Sequence, residues 1–186
     1  MNGRVSRPGL LTTLRHAIAL NANFYETAQN TPLNHHIALT IVILASLSRA
    51  VGSTVILLIN RASLPVLLLA FVIECLAIVA GYYFWSFTVF KIGQWLKPID
   101  PTYQELLIPI GFAYAPQVFN FLTVIPLLGR PIELILAVWS LLAIIVAARQ
   151  GLDISTLRAA FICVIGWSLI ELAIGSLQIL EQSLVR

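Results

Sequence analysis

A chain of 186 residues fits one domain, and with 59% hydrophobic against 10% charged residues it is too apolar and too poor in charge for a soluble fold of that size. The net charge of +3 is dispersed, with no Lys/Arg stripe interleaved with aromatics, which argues against nucleic acid as a partner and leaves the lipid bilayer as the natural surroundings. Cys75 and Cys163 each stand inside an apolar run and neither belongs to a CxxC pair, so they read as packing residues rather than a disulfide or a metal site.

The first thirty residues do not read as a cleaved signal, because the apolar run from Gly9 to Leu14 is short, Arg15 interrupts it and no small-residue cleavage site follows. From Leu10 to Gln29, residues Leu10, Leu11, Leu14, Ile18 and Tyr25 fall near one helical face, which predicts an amphipathic helix lying at the membrane interface. Residues 1–36 are read as a cytoplasmic N-terminal segment.

A helix crossing the hydrocarbon core needs roughly 20 mostly apolar residues. The first such run is 37–59, entered after Pro32 and the His35-His36 pair and closed by the turn Asn60-Arg61-Ala62-Ser63. The second is 64–90, with Pro65 in its first turn and the cluster Tyr82, Tyr83, Phe84 and Trp85 near its interfacial end. A connector from Gly93 to Pro101, with Pro98, Pro101 and the interfacial Trp95, is read as a loop. The third run, 103–128, carries Pro109, Pro116 and Pro126 and is expected to be kinked or broken. The fourth, 132–148, starts after Gly129-Arg130-Pro131 with Glu133 in its first turn, and Asp153 or Ser155 can cap a fifth, 156–180. The expected fold is therefore all-α: a bundle of five transmembrane helices, residues 37–180, preceded by the interfacial helix.

Basic residues gather on the cytoplasmic side of membrane proteins. With the N-terminus inside, that side holds Arg4, Arg7, Arg15, Lys91, Lys97, Arg149 and Arg158, while the opposite side holds Arg61, Arg130 and Arg186, and this imbalance sets the expected orientation of a multi-pass protein in a bacterial membrane.

Arg49 falls near the centre of the first span, where an arginine costs about 2.5 kcal/mol or more unless it faces protein or water. Folding spans one and two about the Arg61 turn brings Glu74 level with it, which predicts a buried Arg49–Glu74 ion pair. Ala38, Ala45, Arg49, Gly52 and Ile56 share one seam of the first helix, and Ala70, Glu74, Ala77 and Gly81 share one seam of the second, so the two small-residue seams are expected to face each other. On the third span Tyr114, Gln117 and Asn120 follow at steps of three around Pro116. They either satisfy carbonyls freed by the proline and bond across helices, or form a midplane ligand or ion site.

Glu171, with Ser168, Gly175 and Gln178, reads as packed or snorkelling. His35 and His36 are adjacent rather than a turn apart, His16 is alone, and no metal or cofactor is expected. The sequence holds no nucleophile triad, HExxH or Gly-rich phosphate loop, so no enzymatic activity is expected.

Three stretches, Asn23-Phe24-Tyr25-Glu26 to Thr31-Pro32, Ile110-Gly111-Phe112-Ala113-Tyr114-Ala115-Pro116-Gln117 and Pro126-Leu127-Leu128-Gly129 leading to Trp139, resemble the bacterial branch of the Yip1 family. The resemblance implies a cytoplasmic segment before five spans and a membrane-embedded scaffold or partner; short loops and the lack of a reaction motif add the expectation of a subunit or assembly partner of a membrane complex, or of a homo-oligomer. It carries no catalytic residues, and the Asp-Leu-Tyr-Gly-Pro-like motif of eukaryotic relatives, with its link to Rab-type GTPases, is missing here. The other reading of the same residues is a small transporter or channel component built on the midplane polar site.

Overall fold

The computed structural model describes residues 9–27, 31–96 and 102–166, and among them every regular element is helical. Two short helices, α1 (Leu10–Ile18) and α2 (Ala22–Glu26), precede the long α3 (Pro32–Ile59) and α4 (Leu64–Leu96). Next come α5 (Tyr103–Phe112), a 3-10 helix (Ala115–Val124), α6 (Gly129–Gly151) and α7 (Thr156–Gly166). Three of these, α3, α4 and α6, are long and apolar enough to cross a membrane, and α5 with the 3-10 helix makes a fourth if the bent pair counts as one span. The remainder of the expected fifth span, 167–180, lies outside the described residues.

Local chemistry sets most of the helix ends. Thr31 caps α3 by accepting the Asn34 N–H at 3.3 Å, and Pro32 occupies its first turn, where a missing donor costs nothing, so His35 and His36 lie within the helix rather than ahead of it. The chain reverses at Arg61, whose φ of 59° is left-handed, and enters α4. That helix continues through Gly93 to Leu96, past the residues expected to open a loop, because its final turns pack on Leu152. Thr102 and Glu105 form a reciprocal capping box at the start of α5, with the Glu105 carboxylate accepting the Thr102 N–H at 3.1 Å.

The proline-rich stretch expected as the third span packs at the centre of the described residues. Every residue of α5 from Leu106 to Phe112 is buried, as befits a helix apolar on all sides, and α3, α4, α6 and α1 pack around it. Pro109 is tolerated inside α5, but the axis bends by 41° at the junction with the 3-10 helix, just before Pro116. The backbone then winds at three residues per turn for ten residues, well beyond the three or four usual for a 3-10 helix. At the rises of the two helix types the pair reaches about 35 Å, enough for a hydrocarbon core of about 30 Å. Ile125 is extended (φ −65°, ψ 119°), as the residue before Pro126 should be, and ends the winding.

Two expectations are corrected by this arrangement. Although Arg49 meets Glu74 as expected, the small residues of its seam face the third span rather than α4: buried Ala38 meets Gly111, and Gly52 lies against the Asn120 carbonyl, where a Cβ would come within 3.3 Å of the oxygen. On the α4 seam Glu74 pairs with Arg49, whereas Ala77 is exposed and, among the described residues, nothing lies within 4 Å of where a Gly81 Cβ would stand. Small residues permit close approach without specifying the neighbour, and the bent third span fits closer to α3 than α4 does.

The N-terminal segment also differs from one interfacial helix. A left-handed Leu20 (φ 53°) splits it into α1 and α2, which fold back on the helical domain. The Ile18 carbonyl accepts the Trp139 indole N–H at 2.9 Å, Tyr25 donates to the Ala17 carbonyl at 3.2 Å, and Phe24 packs on Phe112 with ring centres 5.2 Å apart. Leu10, Leu14 and Ile18 are partly buried against the core, but Leu11 stays 80% exposed, and Thr13 and Ala17 are the residues most deeply covered. Burial holds the Tyr25 phenol well above its ordinary value of 10.0.

Candidate functional site

Arg49 sits on α3 about 15 Å before the end of the helix at Ile59, counted at 1.5 Å per residue. Its Nε lies 3.4 Å from Glu74 Oε2 on α4, and Ser53, one turn further along α3, donates to Glu74 Oε1 at 3.3 Å. A second acid, which reading the sequence did not connect to Arg49, comes from α6: Glu133 Oε1 lies 3.9 Å from Arg49 Nη2, and its other oxygen is 3.7 Å from Arg130 Nη1. The result is a chain of alternating charges, Glu74–Arg49–Glu133–Arg130, across three helices and balanced in sign.

The Arg49–Glu74 pair was expected to be buried, yet within the chain the Arg49 side chain is 38% exposed and that of Glu74 31%. The cause is the wide separation of α4 and α6, which opens a cavity on each side of Arg49. One, of about 360 Å³, lies between α4 and α6 and is floored by Ala113, Tyr114 and Gln117. The other, of about 270 Å³, lies toward the start of α6 among Ser53, Asn120, Thr123 and Arg130. Arg49 lines both.

The 3-10 helix supplies the remaining polar groups. Gln117 donates through Nε2 to Ser140 Oγ on α6 at 2.8 Å, and Asn120 Nδ2 donates to Gln117 Oε1. Thr123 Oγ1 donates to the Asn120 carbonyl at 2.7 Å, and the Phe121 N–H is accepted by Ser48 Oγ of α3 at 2.8 Å. The two amides therefore bond to one another and across to α6, rather than to carbonyls freed by Pro116. Pro116 itself is buried at the bend. Tyr114 meets Tyr82 edge-on, with ring centres 5.9 Å apart, and lines the larger cavity beside Gln117. Gln117 and Arg49 thus share the wall of one cavity, and Asn120 and Arg49 that of the other, so the ion cluster and the amide chain adjoin.

The remaining polar residues stand apart from this centre. His35 and His36 lie in the first turns of α3, and His16 stacks on Phe24 with ring centres 5.7 Å apart. Among the described residues no three His, Cys, Asp or Glu side chains come together as a metal site would require. Cys163 is buried and Cys75 half-buried, while Glu171, Ser168, Gly175 and Gln178 lie outside the described residues.

Glu133, Ser140 and Ser53 are among the site residues missed in the sequence. The signal for Glu133 was the donor count of arginine: five N–H groups are more than one carboxylate satisfies, so an intramembrane arginine calls for a second acceptor. Ser140 carried no comparable signal, being one small residue in an apolar helix. Comparison with family models, curated proteins and solved structures gives no match for the chain. The Yip1 resemblance therefore rests on the sequence alone.

Proposed function

We propose that this chain is a non-enzymatic, five-span membrane protein of the Yip1 type, with residues 1–36 on the cytoplasmic side and the C-terminus opposite, acting as a membrane-organising scaffold or as a subunit or assembly partner of a membrane complex. The observation that carries this reading is the uncovered seam of α4. Ala77 is exposed, Ala70 and Gly81 are half-buried, and no atom of the described residues lies within 4 Å of a Cβ built at Gly81. Small residues spaced along one helix face let a second backbone approach closely, which is how helices associate where the hydrophobic effect gives no drive. The occupant is a helix of a second copy or of another membrane protein.

Cysteine cross-linking in native membranes tests this. With Cys75 and Cys163 replaced by Ala, an Ala77→Cys chain should form a disulfide-linked dimer or hetero-complex, and a control cysteine at Leu69 should not. A chain that stays single from both positions, and runs as a lone monomer in native nanodiscs, overturns the reading.

A second reading, a small transporter or channel component, draws on the position of Arg49 between two cavities. It requires Arg49→Ala to abolish flux through reconstituted vesicles while the amount of folded protein is unchanged.

A further inference from the structure

The larger cavity has an unbalanced hydrogen-bond inventory. Its walls are apolar, formed by Ile78 and Phe84 of α4 and Leu141 and Ile144 of α6, yet Tyr114 and Arg49, which both carry donors to spare, line it too, with Trp85 in the wall beside them. The Tyr114 hydroxyl has no hydrogen-bond partner among the described residues, the Arg49 guanidinium has five N–H groups against carboxylates at 3.4 and 3.9 Å, and the Trp85 indole N–H is buried and unpartnered in the wall. Its one side-chain carbonyl acceptor, Gln117 Oε1, is already taken by Asn120. Spare donors in an apolar site whose acceptor is taken are matched by a ligand that brings acceptors and no donors.

Charge and depth narrow the class. Glu74 and Glu133 flank Arg49, so an anionic head gains little over a neutral one. Arg49 stands about 15 Å from the end of α3, near the middle of a core about 30 Å thick, whereas the ester carbonyls of ordinary lipids lie at its edges. A volume of about 360 Å³ suits a single ring-sized head and not a phospholipid head with its glycerol. We propose that the cavity between α4 and α6 binds the head of a neutral, membrane-dissolved carbonyl compound of the quinone class, its two carbonyl oxygens accepting from Tyr114 and Arg49 while its tail leaves between the two helices past Phe84. This goes beyond the scaffold reading and does not depend on it.

The test is equilibrium binding of a decyl-tailed benzoquinone to the full chain in phosphatidylcholine nanodiscs, read as saturable quenching of tryptophan emission. Tyr114→Phe, which removes a hydroxyl with no bond in the chain, should weaken binding about five-fold. Ala137→Phe, which fills the cavity, should abolish the saturable phase, and neither decylbenzene nor dioleoylglycerol should compete. Equal competition by decylbenzene marks a merely greasy groove, and competition by dioleoylglycerol marks an ester-lipid site; either overturns the proposal. So does wild-type affinity in Tyr114→Phe, which decides the matter if Ala137→Phe does not fold.

Discussion

Gly111 of α5 meets Ala38 of α3 so closely that a Cβ built on the glycine would stand 2.9 Å from the Ala38 Cβ and 3.4 Å from the Ala38 carbonyl. Both residues lie in the interior, between two helices that cannot move apart without uncovering the centre of the bundle. Gly111→Ala is therefore expected to destabilise the protein by about 1–3 kcal/mol, the usual range for overpacking. Ala38→Gly should recover part of that loss, since it removes the nearer contact and leaves the backbone one. Thermal unfolding in detergent of the two single variants and the double variant checks the coupling; additive losses would refute the contact.

Replacing Arg49 by Met leaves Glu74 and Glu133 facing each other across a cavity. Because the Arg49 side chain is 38% exposed, the expected loss is about 1–2 kcal/mol, below the roughly 3–5 kcal/mol of a fully buried pair. Glu74→Gln should be more harmful than Glu133→Gln, since Glu74 is nearer to Arg49, at 3.4 against 3.9 Å, and Glu133 is shared with Arg130. The ranking is read from unfolding midpoints in a common detergent, and the reverse order would place the main partner on α6.

The amide chain makes a separate forecast. Gln117→Leu should lower stability by about 1 kcal/mol, Ser140→Ala by less, and a double-mutant cycle should give a coupling near the 0.6 kcal/mol typical of interhelical bonds in membranes. A coupling of zero would show that the bond between Gln117 Nε2 and Ser140 Oγ is not formed in the membrane.

Tyr25 carries a pH dependence whose sign is fixed. Its folded-state pKa is raised by burial above the ordinary value of 10.0, so its contribution is complete below about pH 10 and is lost as the pH rises further, when the phenolate forms in the undocked segment. Limited proteolysis should show the N-terminal segment released above that pH in the wild type. Tyr25→Phe should weaken docking slightly at neutral pH, through the lost bond to the Ala17 carbonyl, and flatten the alkaline response. A response unchanged in Tyr25→Phe would assign it to another group.

Much of the frame was legible because lipid leaves so few options. The apolar runs that end at Ile59 and open at Leu64 coincide with the ends of α3 and α4, and levelling residues about Arg61 sets Glu74 opposite Arg49, where the side chains lie 3.4 Å apart. What escaped was everything decided between helices. Ala38 and Gly52 announce a close approach but not to whom, and only the bent third span shows that it is to Gly111 and Asn120. Pro109 and Pro116 announced a break, not that ten residues beyond it would wind as a 3-10 helix. Glu133 looked like a helix-dipole acid, because nothing local says that the start of α6 lies beside Arg49. The folding back of α1 depends on a bond from Trp139 to Ile18, 121 residues apart, which no periodicity encodes.

The 3-10 winding has one last geometrical consequence. With three residues per turn, every third side chain falls on a single straight line, so Tyr114, Gln117, Asn120 and Thr123 form a rail parallel to the axis, running from one cavity beside Arg49 to the other. In an α-helix each such step swings the next side chain by about 60°, and Thr123 would end on the opposite side from Tyr114. The alignment of these four polar groups is thus a property of how tightly ten residues are coiled, and any change that relaxed the coil would scatter the rail without altering a single one of its side chains.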